Sequence, residues 1–272
     1  VTVSISDRRA RFQALHAREE LFVMPNPWDV GSARLLESLG FEALATTSAG
    51  FAWSNGKPDQ SVSRDELVAH VASLAAATSL PLNVDSERCY PDDPGGAART
   101  VELLAEAGAA GFSIEDYDPA TSSIDDVEEA TARVRVAAEA AHHPPDPMVL
   151  TGRAENHIRG VHDLDDTIAR LIAYRDAGAD VVYAPGLSDL DQITAVVEAV
   201  GVPLNVLALP HGPTVSELTS VGVQRVSTGG ALARSAYGAL LAAAQELLAN
   251  GTSSYAAGGP SSDSLEAAFM RR

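Results

Sequence analysis

The sequence has a single cysteine, Cys89, which excludes an intrachain disulfide and a cysteine-based zinc cluster and fits a reducing compartment. Basic residues are also scarce, with 19 Lys+Arg against 37 Asp+Glu, a formal charge of −18. Binding a polyanion requires clustered Lys and Arg, and no such stretch occurs, so neither nucleic acid nor an anionic membrane surface is expected as a partner. No run of 18 apolar residues is present, and the first twenty residues, VTVSISDRRARFQALHAREE, lack the apolar core of a signal peptide. A soluble cytoplasmic protein is expected. Aromatic residues make up only 5% of the chain, so the core must be built from aliphatic side chains.

Those aliphatic residues recur in a regular order. Short β-branched runs at LFVMPN (21–26), ALATTS (43–48), PLNVDS (81–86), GFSIED (111–116), MVLTGRA (148–154), VVYAPG (181–186), PLNVLAL (203–209) and RVSTGG (225–230) predict strands. Between them lie Ala- and Leu-rich segments with helical spacing. Ser63 with Glu66 makes a capping box, and Gly40, Gly108, Gly178 and Gly201 stand where helices should end. Eight βα units in series predict a single-domain α/β fold, a (β/α)8 barrel over residues 1–249. A doubly wound open sheet is the alternative, but PNPWDV after the first strand is not a glycine-rich phosphate loop. Residues 250–272 read as a Gly/Ser linker followed by a short helix in LEAAFMRR, an oligomer contact.

In a βα barrel, reacting groups stand at the C-terminal ends of the strands. The third strand ends in Asp85-Ser86-Glu87, the fourth in Glu115-Asp116, the fifth in Arg153-Ala154-Glu155-Asn156-His157. Asp85 and Glu87, at alternate positions, point to one side, and Glu115 on the neighbouring strand would complete a set of hard oxygen ligands. Three such acids either share protons or hold a cation, and oxygen-only ligation favours Mg²⁺ or Mn²⁺ over zinc. Solvated strand-end acids are the plainer reading of each residue alone. Arg153, following a buried strand, calls for a planar anion such as a carboxylate or phosphonate.

With these residues the sequence resembles the isocitrate lyase/phosphoenolpyruvate mutase superfamily over roughly residues 8–245. The resemblance rests on FVMPNPWD, TTSAG, NVDSERCYP, GFSIEDYD, TGRAENH and RVSTGG, six phrases in order at strand ends. It implies metal-shell acids at Asp85, Glu87 and Glu115, with Glu87 replacing the more usual Asp. It places a carboxylate-binding arginine at Arg153, an oxo-acid cradle at Thr47, Ser48 and Ala49, and a catalytic aspartate touching the metal's water shell at Asp59. It further implies Mg²⁺, a small oxo- or hydroxy-carboxylate substrate, and a homotetramer of dimers that exchange their last barrel helix.

The departures are specific. Lyases of the family carry a KxCGH loop after strand 4, and this chain continues IEDYDPATSSIDDVEE, with neither Lys nor Cys. Cys89, after strand 3, does not match that role. Tyr117 is a replacement candidate, with Asp118, Thr121, Ser122 and Ser123 behind it; a plain loop residue is the simpler reading of each. Asn205 and His211, near the end of strand 7, are candidates for substrate contact, with a solvated turn histidine the alternative for His211. Trp28 and Trp53 read as packing residues. The expected activity is Mg²⁺-dependent C–C cleavage of an oxaloacetate-, isocitrate- or methylisocitrate-like acid through an enolate. P–C chemistry of the phosphonopyruvate type and a non-catalytic oxo-acid-binding protein remain as alternatives.

Overall fold

The computed structural model of the chain describes residues 3–18, 20–143 and 145–270. Its strands are β1 (Phe22–Met24), β2 (Leu44–Ala45), β3 (Leu82–Asp85), β4 (Gly111–Glu115), β5 (Tyr117–Asp118), β6 (Ser123–Ile124), β7 (Val149–Arg153), β8 (Val181–Tyr183), β9 (Leu204–Leu207) and β10 (Arg225–Ser227). Eight of them form one parallel sheet in the order β1-β10-β9-β8-β7-β4-β3-β2, and each coincides with one of the eight predicted runs. The sheet closes into a barrel at the β1/β2 seam, where Ala45 N–H donates to Pro25 C=O at 3.0 Å. The open-sheet alternative is thereby set aside.

Asn26, in the MPNPWD phrase, explains how so short a first strand is held. Its Nδ2 donates to Thr46 C=O at 2.7 Å, while its Oδ1 accepts from the backbone N–H groups of Thr228 at 2.8 Å and Gly229 at 2.9 Å. One buried amide thus ties the ends of three strands together, and Asp29, three residues on, caps the helix Val30–Ser38.

Helices Arg64–Ala77, Gly96–Ala107, Val127–Ala141, Leu164–Asp176 and Leu190–Val200 surround the sheet where helical spacing placed them. The capping box of Ser63 and Glu66 is formed, and Gly108 and Gly201 close their helices in the left-handed region. The larger core, with Leu74, Val84, Leu104, Phe112, Leu150 and Val196, fills the layer between strands and helices. A smaller core inside the barrel joins Phe22, Met24, Ala45, Val149 and Val181 to Phe12 and Leu15. The last two belong to a helix outside the eight βα units, Ile5–Ala17, which plugs the N-terminal end of the barrel. Gly111 makes room for it, since a Cβ there would meet Phe12 Cε1 at 2.7 Å and Val149 O at 2.6 Å.

The C-terminal part differs from a plain linker. The twenty-residue helix Ala231–Asn250 buries only Ala233, leaving Leu240, Leu241, Leu247 and Leu248 exposed. Residues Ser254–Gly258 wind into a 3₁₀ turn anchored by Glu246, whose carboxylate accepts from the Ser254 N–H and from the hydroxyls of Thr252 and Ser254. The terminal helix, Ser262–Met270, packs on Val30–Ser38, where Arg34 donates to Phe269 C=O at 2.9 Å. The last two residues of the predicted LEAAFMRR helix lie outside the described residues. Among the described residues no helix is long and apolar enough to cross a membrane.

Candidate active site

The inward positions of β3, β4, β7, β8, β9 and β10 are polar toward the C-terminal mouth. A cavity of about 40 Å³ runs down the barrel axis between Asn83, Asp85, Ser113, Arg153, Tyr183, Asn205 and Arg225. Parallel register brings Asp85 beside Ser113 and Glu115 beside Arg153. The acids predicted from strand-end spacing therefore share one mouth with the predicted arginine.

Their arrangement is tighter around Arg153 than around a common centre. Arg153 faces Asp85 Oδ1 at 3.4 Å and Glu115 Oε2 at 3.2 Å, pairs through Nε with Glu155, and lies over the Tyr183 ring at 5.3 Å. Among the described residues no three acids, histidines or cysteines converge closely enough to ligate one ion directly. A cation at this mouth would have to reach some of these acids through water. The fit for one is nevertheless visible in the donor set. Glu87 is 7% exposed and its Oε1 is buried with no hydrogen-bond partner. Burial, then the charges of Asp85 and Asp59, raise its pKa to about 8. Glu115 is raised as well, chiefly by burial, with Arg153 opposing. A buried carboxylate oxygen without a donor is costly, and a hydrated divalent cation would supply both the charge and the donors.

The Thr47-Ser48-Ala49 turn opens the helix Ser48–Ser54. Thr47 is its cap, accepting from Gly50 N–H at 3.2 Å, and Ser48 N–H donates to Asp85 Oδ2 at 3.0 Å. Asp85 thus spans the cradle and Arg153. Asp59, on the loop that follows, meets the Ser48 hydroxyl, and its pKa is raised by burial and by Asp85. Trp53, on the same helix, packs on Gly230, where a Cβ would stand 3.2 Å from its ring, and it lies outside the cavity lining.

The remaining candidates divide. Asn205 lines the cavity, donating to Ser227 Oγ at 2.9 Å and accepting from Arg225 Nε at 2.9 Å. His211 is exposed on the loop after β9 and is absent from the cavity lining. Tyr117 belongs to the hairpin β5/β6, which stands in place of the KxCGH loop; the Arg159 guanidinium covers its ring at 3.4 Å. Asp118 pairs with Arg88 at 3.2 Å. Cys89 is fully buried and its thiol is pushed up to about 12 by burial, so it is no nucleophile.

Three groups at the site have no role assigned from the sequence, although Asp116 and Glu155 stand in the polar strand ends. Glu155, wholly buried, grips both Arg153 and Arg159. Asp116 holds the Glu155 N–H at 2.8 Å and is itself held by Tyr174 Oη at 2.6 Å, which fixes the end of β7. Gln60, beside Asp59, sends its Nε2 to Glu115 Oε1 at 3.0 Å.

A parallel βα barrel with its charged groups gathered at the C-terminal mouth is an enzyme architecture. The chain matches the phosphoenolpyruvate phosphomutase family over residues 12–248 and belongs to it, within the isocitrate lyase/phosphoenolpyruvate mutase superfamily. It is similar to a candidate lyase/mutase of Burkholderia cenocepacia J2315, with 48% identity and a TM-score of 0.94 over 98% of this chain and 97% of that one. The oxaloacetate decarboxylase of Paraburkholderia xenovorans LB400 is 35% identical over 75% of this chain and 70% of its own. An oxaloacetate acetylhydrolase, solved with its product oxalate, superposes with a TM-score of 0.87 at 27% identity, covering 97% and 95% of the two chains.

Proposed function

We propose that this protein is a divalent-cation-dependent lyase that breaks a C–C bond in a small 2-oxo or 2-hydroxy di- or tricarboxylate, with an oxaloacetate-like acid as the first candidate. The observation that carries the reading is Asp85, whose two oxygens face the Ser48 amide and the Arg153 guanidinium, so that anion-stabilising donors and acids share one mouth. Asp85, Glu87 and Glu115 would hold Mg²⁺ or Mn²⁺, in part through water, with Asp59 beside them. When bound, the cation supplies neutralisation of the charge that builds on the substrate oxygen.

The chain's own residues do the rest. Arg153 exchanges part of its acid pairing for a substrate carboxylate, which it can grip through two parallel N–H groups. The Thr47-Ser48-Ala49 turn would serve the forming enolate oxygen, with the Ser48 N–H and hydroxyl exchanging their Asp85 and Asp59 acceptors for it. Asn205 lines the cavity. Because the Tyr117 hairpin lacks the Lys and Cys of the KxCGH loop, decarboxylation is favoured: CO₂ leaves, and the enolate carbon can take its proton from water or from Tyr117. Similarity to an oxaloacetate decarboxylase supports the same substrate class.

Purified protein with Mg²⁺ is expected to consume oxaloacetate faster than isocitrate, methylisocitrate or phosphonopyruvate. Asp85→Asn is expected to lower turnover and weaken Mn²⁺ affinity, the latter on the order of 10–100-fold. Consumption of phosphonopyruvate alone would replace this reading with P–C chemistry, and thermal stabilisation by an oxo acid without turnover would make the chain a binding protein.

We also propose that the barrel spans residues 1–249 and that the helix Ala231–Asn250 serves a second copy of the chain in a tetramer of helix-exchanging dimers, acting in the cytoplasm. The exposed Leu240, Leu241, Leu247 and Leu248 support this, because four leucines on one helix form a patch that water disfavours. Sizing by light scattering is expected to give four times the chain mass, and Leu241→Glu with Leu248→Glu to shift it to smaller species; a monomeric parent protein would reject the proposal.

A further inference from the structure

Gln60 occupies a position that its backbone does not favour. Its φ is 61°, in the left-handed region where glycine is the usual residue, on the loop between the helices Ser48–Ser54 and Arg64–Ala77. The strain is offset in part by a side-chain contact that glycine could not make. The backbone N–H donates to Asp59 Oδ1 at 3.0 Å, and the side chain crosses to the barrel mouth, where Nε2 donates to Glu115 Oε1 at 3.0 Å. The other end of the same amide, Oε1, is buried without a partner. Glu87 Oε1, in the same cluster of acids, is likewise buried without one.

Two acceptor oxygens lacking donors at one acid cluster call for a shared source of O–H groups, and a hydrated cation is such a source. Glu115 has Arg153 on Oε2 and Gln60 on Oε1, so both its oxygens are fixed by side chains from different elements. The neutral amide adds an acceptor without adding a fifth carboxyl group to Asp59, Asp85, Glu87 and Glu115. The carboxylates alone would repel one another more strongly with each addition.

We infer that Gln60 is a positioning residue of the metal shell: its Nε2 orients Glu115 and its Oε1 accepts a hydrogen bond from a water bound to the divalent cation. The loop 57–62 then contributes two groups to the shell, Asp59 and Gln60. This rests on the metal-dependent reading above, and the two can fail separately.

The test is Mn²⁺ titration of the metal-free protein, followed by the electron paramagnetic resonance signal of free Mn²⁺, for the parent, Gln60→Gly and Gln60→Asn. Glycine suits the backbone, so Gln60→Gly should melt in EDTA at or above the parent temperature while binding Mn²⁺ on the order of 10–100-fold more weakly. Gln60→Asn keeps an amide that tolerates the left-handed region but falls one methylene short, and should also weaken binding. Unchanged or tighter Mn²⁺ binding in Gln60→Gly, with a parent that binds, overturns the role of Gln60 alone. A parent that binds no Mn²⁺ overturns both this role and the metal-dependent function.

Discussion

Arg153→Met is expected to destabilise the metal-free protein by about 3–5 kcal/mol, the usual consequence of removing one partner from a buried ionic cluster. The side chains of Glu115 and Glu155 are 1% and 0% exposed, and Arg153 faces both as well as Asp85. Arg159 remains on Glu155 Oε2 at 3.2 Å, but no ion pair of Glu115 other than that with Arg153 occurs among the described residues. Urea denaturation in EDTA gives the loss as a change in midpoint at constant slope. Saturating Mg²⁺ should then restore part of it, about 2.7 kcal/mol at a hundred times the dissociation constant, because a cation can replace the missing charge. Turnover should not return with it, since the fork that grips a substrate carboxylate is gone. Arg153→Lys should fall between the two, keeping the charge and losing the planar geometry. A loss below about 1 kcal/mol for Arg153→Met would mean that the acids are held neutral by their own neighbours, and that Arg153 is not their counter-ion.

The same cluster shows what the sequence makes legible. A strand end is visible because an apolar run stops at a charged residue, so Asp85, Glu115 and Arg153 can be placed at one mouth from the sequence. What spacing does not encode is pairing across elements. Arg153 reads as a ligand for a substrate anion, yet its contacts in the fold are Glu115, Asp85 and a third acid two residues downstream, Glu155. Gln60 sits in a polar loop where nothing in GKPDQSVS distinguishes an inward amide from an outward one. His211 is the converse case: PHGPT follows a strand end as closely as TGRAENH does, but the chain turns outward there to cap the helix Val215–Ser220 through Thr214.

At the fold level, repetition was the strong signal, since each βα unit repeats an apolar run and a helical segment, several of them closed by glycine. The plug Ile5–Ala17 stands outside the repeat. Its buried residues, Arg8, Phe12 and Leu15, do follow helical spacing, but an arginine in the stripe hides it. Arg8 is tolerated because its Nη1 donates to Ala75 C=O at 2.7 Å. The eighth barrel helix was legible as a helix and not as an exposed one, because a Leu/Ala-rich segment has the same composition whether it covers its own barrel or another.

The plug also makes a large acid response expected. Arg225 is 1% exposed inside the barrel and faces only neutral partners, Asn205, Thr151 Oγ1 at 2.9 Å and His16 Nε2 at 3.1 Å. His16 Nδ1 lies 2.8 Å from Phe12 C=O, so its proton belongs on Nδ1 and Nε2 accepts from Arg225. Protonating Nε2 would remove that acceptor and set two cations together, and burial followed by the Arg225 charge lowers the His16 pKa to about 3. A folded pKa below the unfolded value of about 6.5 means that the contribution is complete above pH 6.5. It is lost at about 1.4 kcal/mol per pH unit as the pH falls toward 3. Between pH 7 and pH 4 this one histidine should therefore cost about 3 kcal/mol, a large part of the 5–15 kcal/mol typical of a folded protein. His70, stacked on Phe51 at 3.7 Å and lowered to about 4 mainly by burial, acts in the same direction, whereas Glu87, raised to about 8, opposes it. A comparison with His16→Gln cancels both, since the amide oxygen can accept from Arg225 but does not titrate. The parent should lose about 3 kcal/mol more than the variant between pH 7 and pH 4 in urea denaturation. Parallel profiles would mean that His16 takes its proton in the folded barrel, and that Arg225 does not hold it neutral.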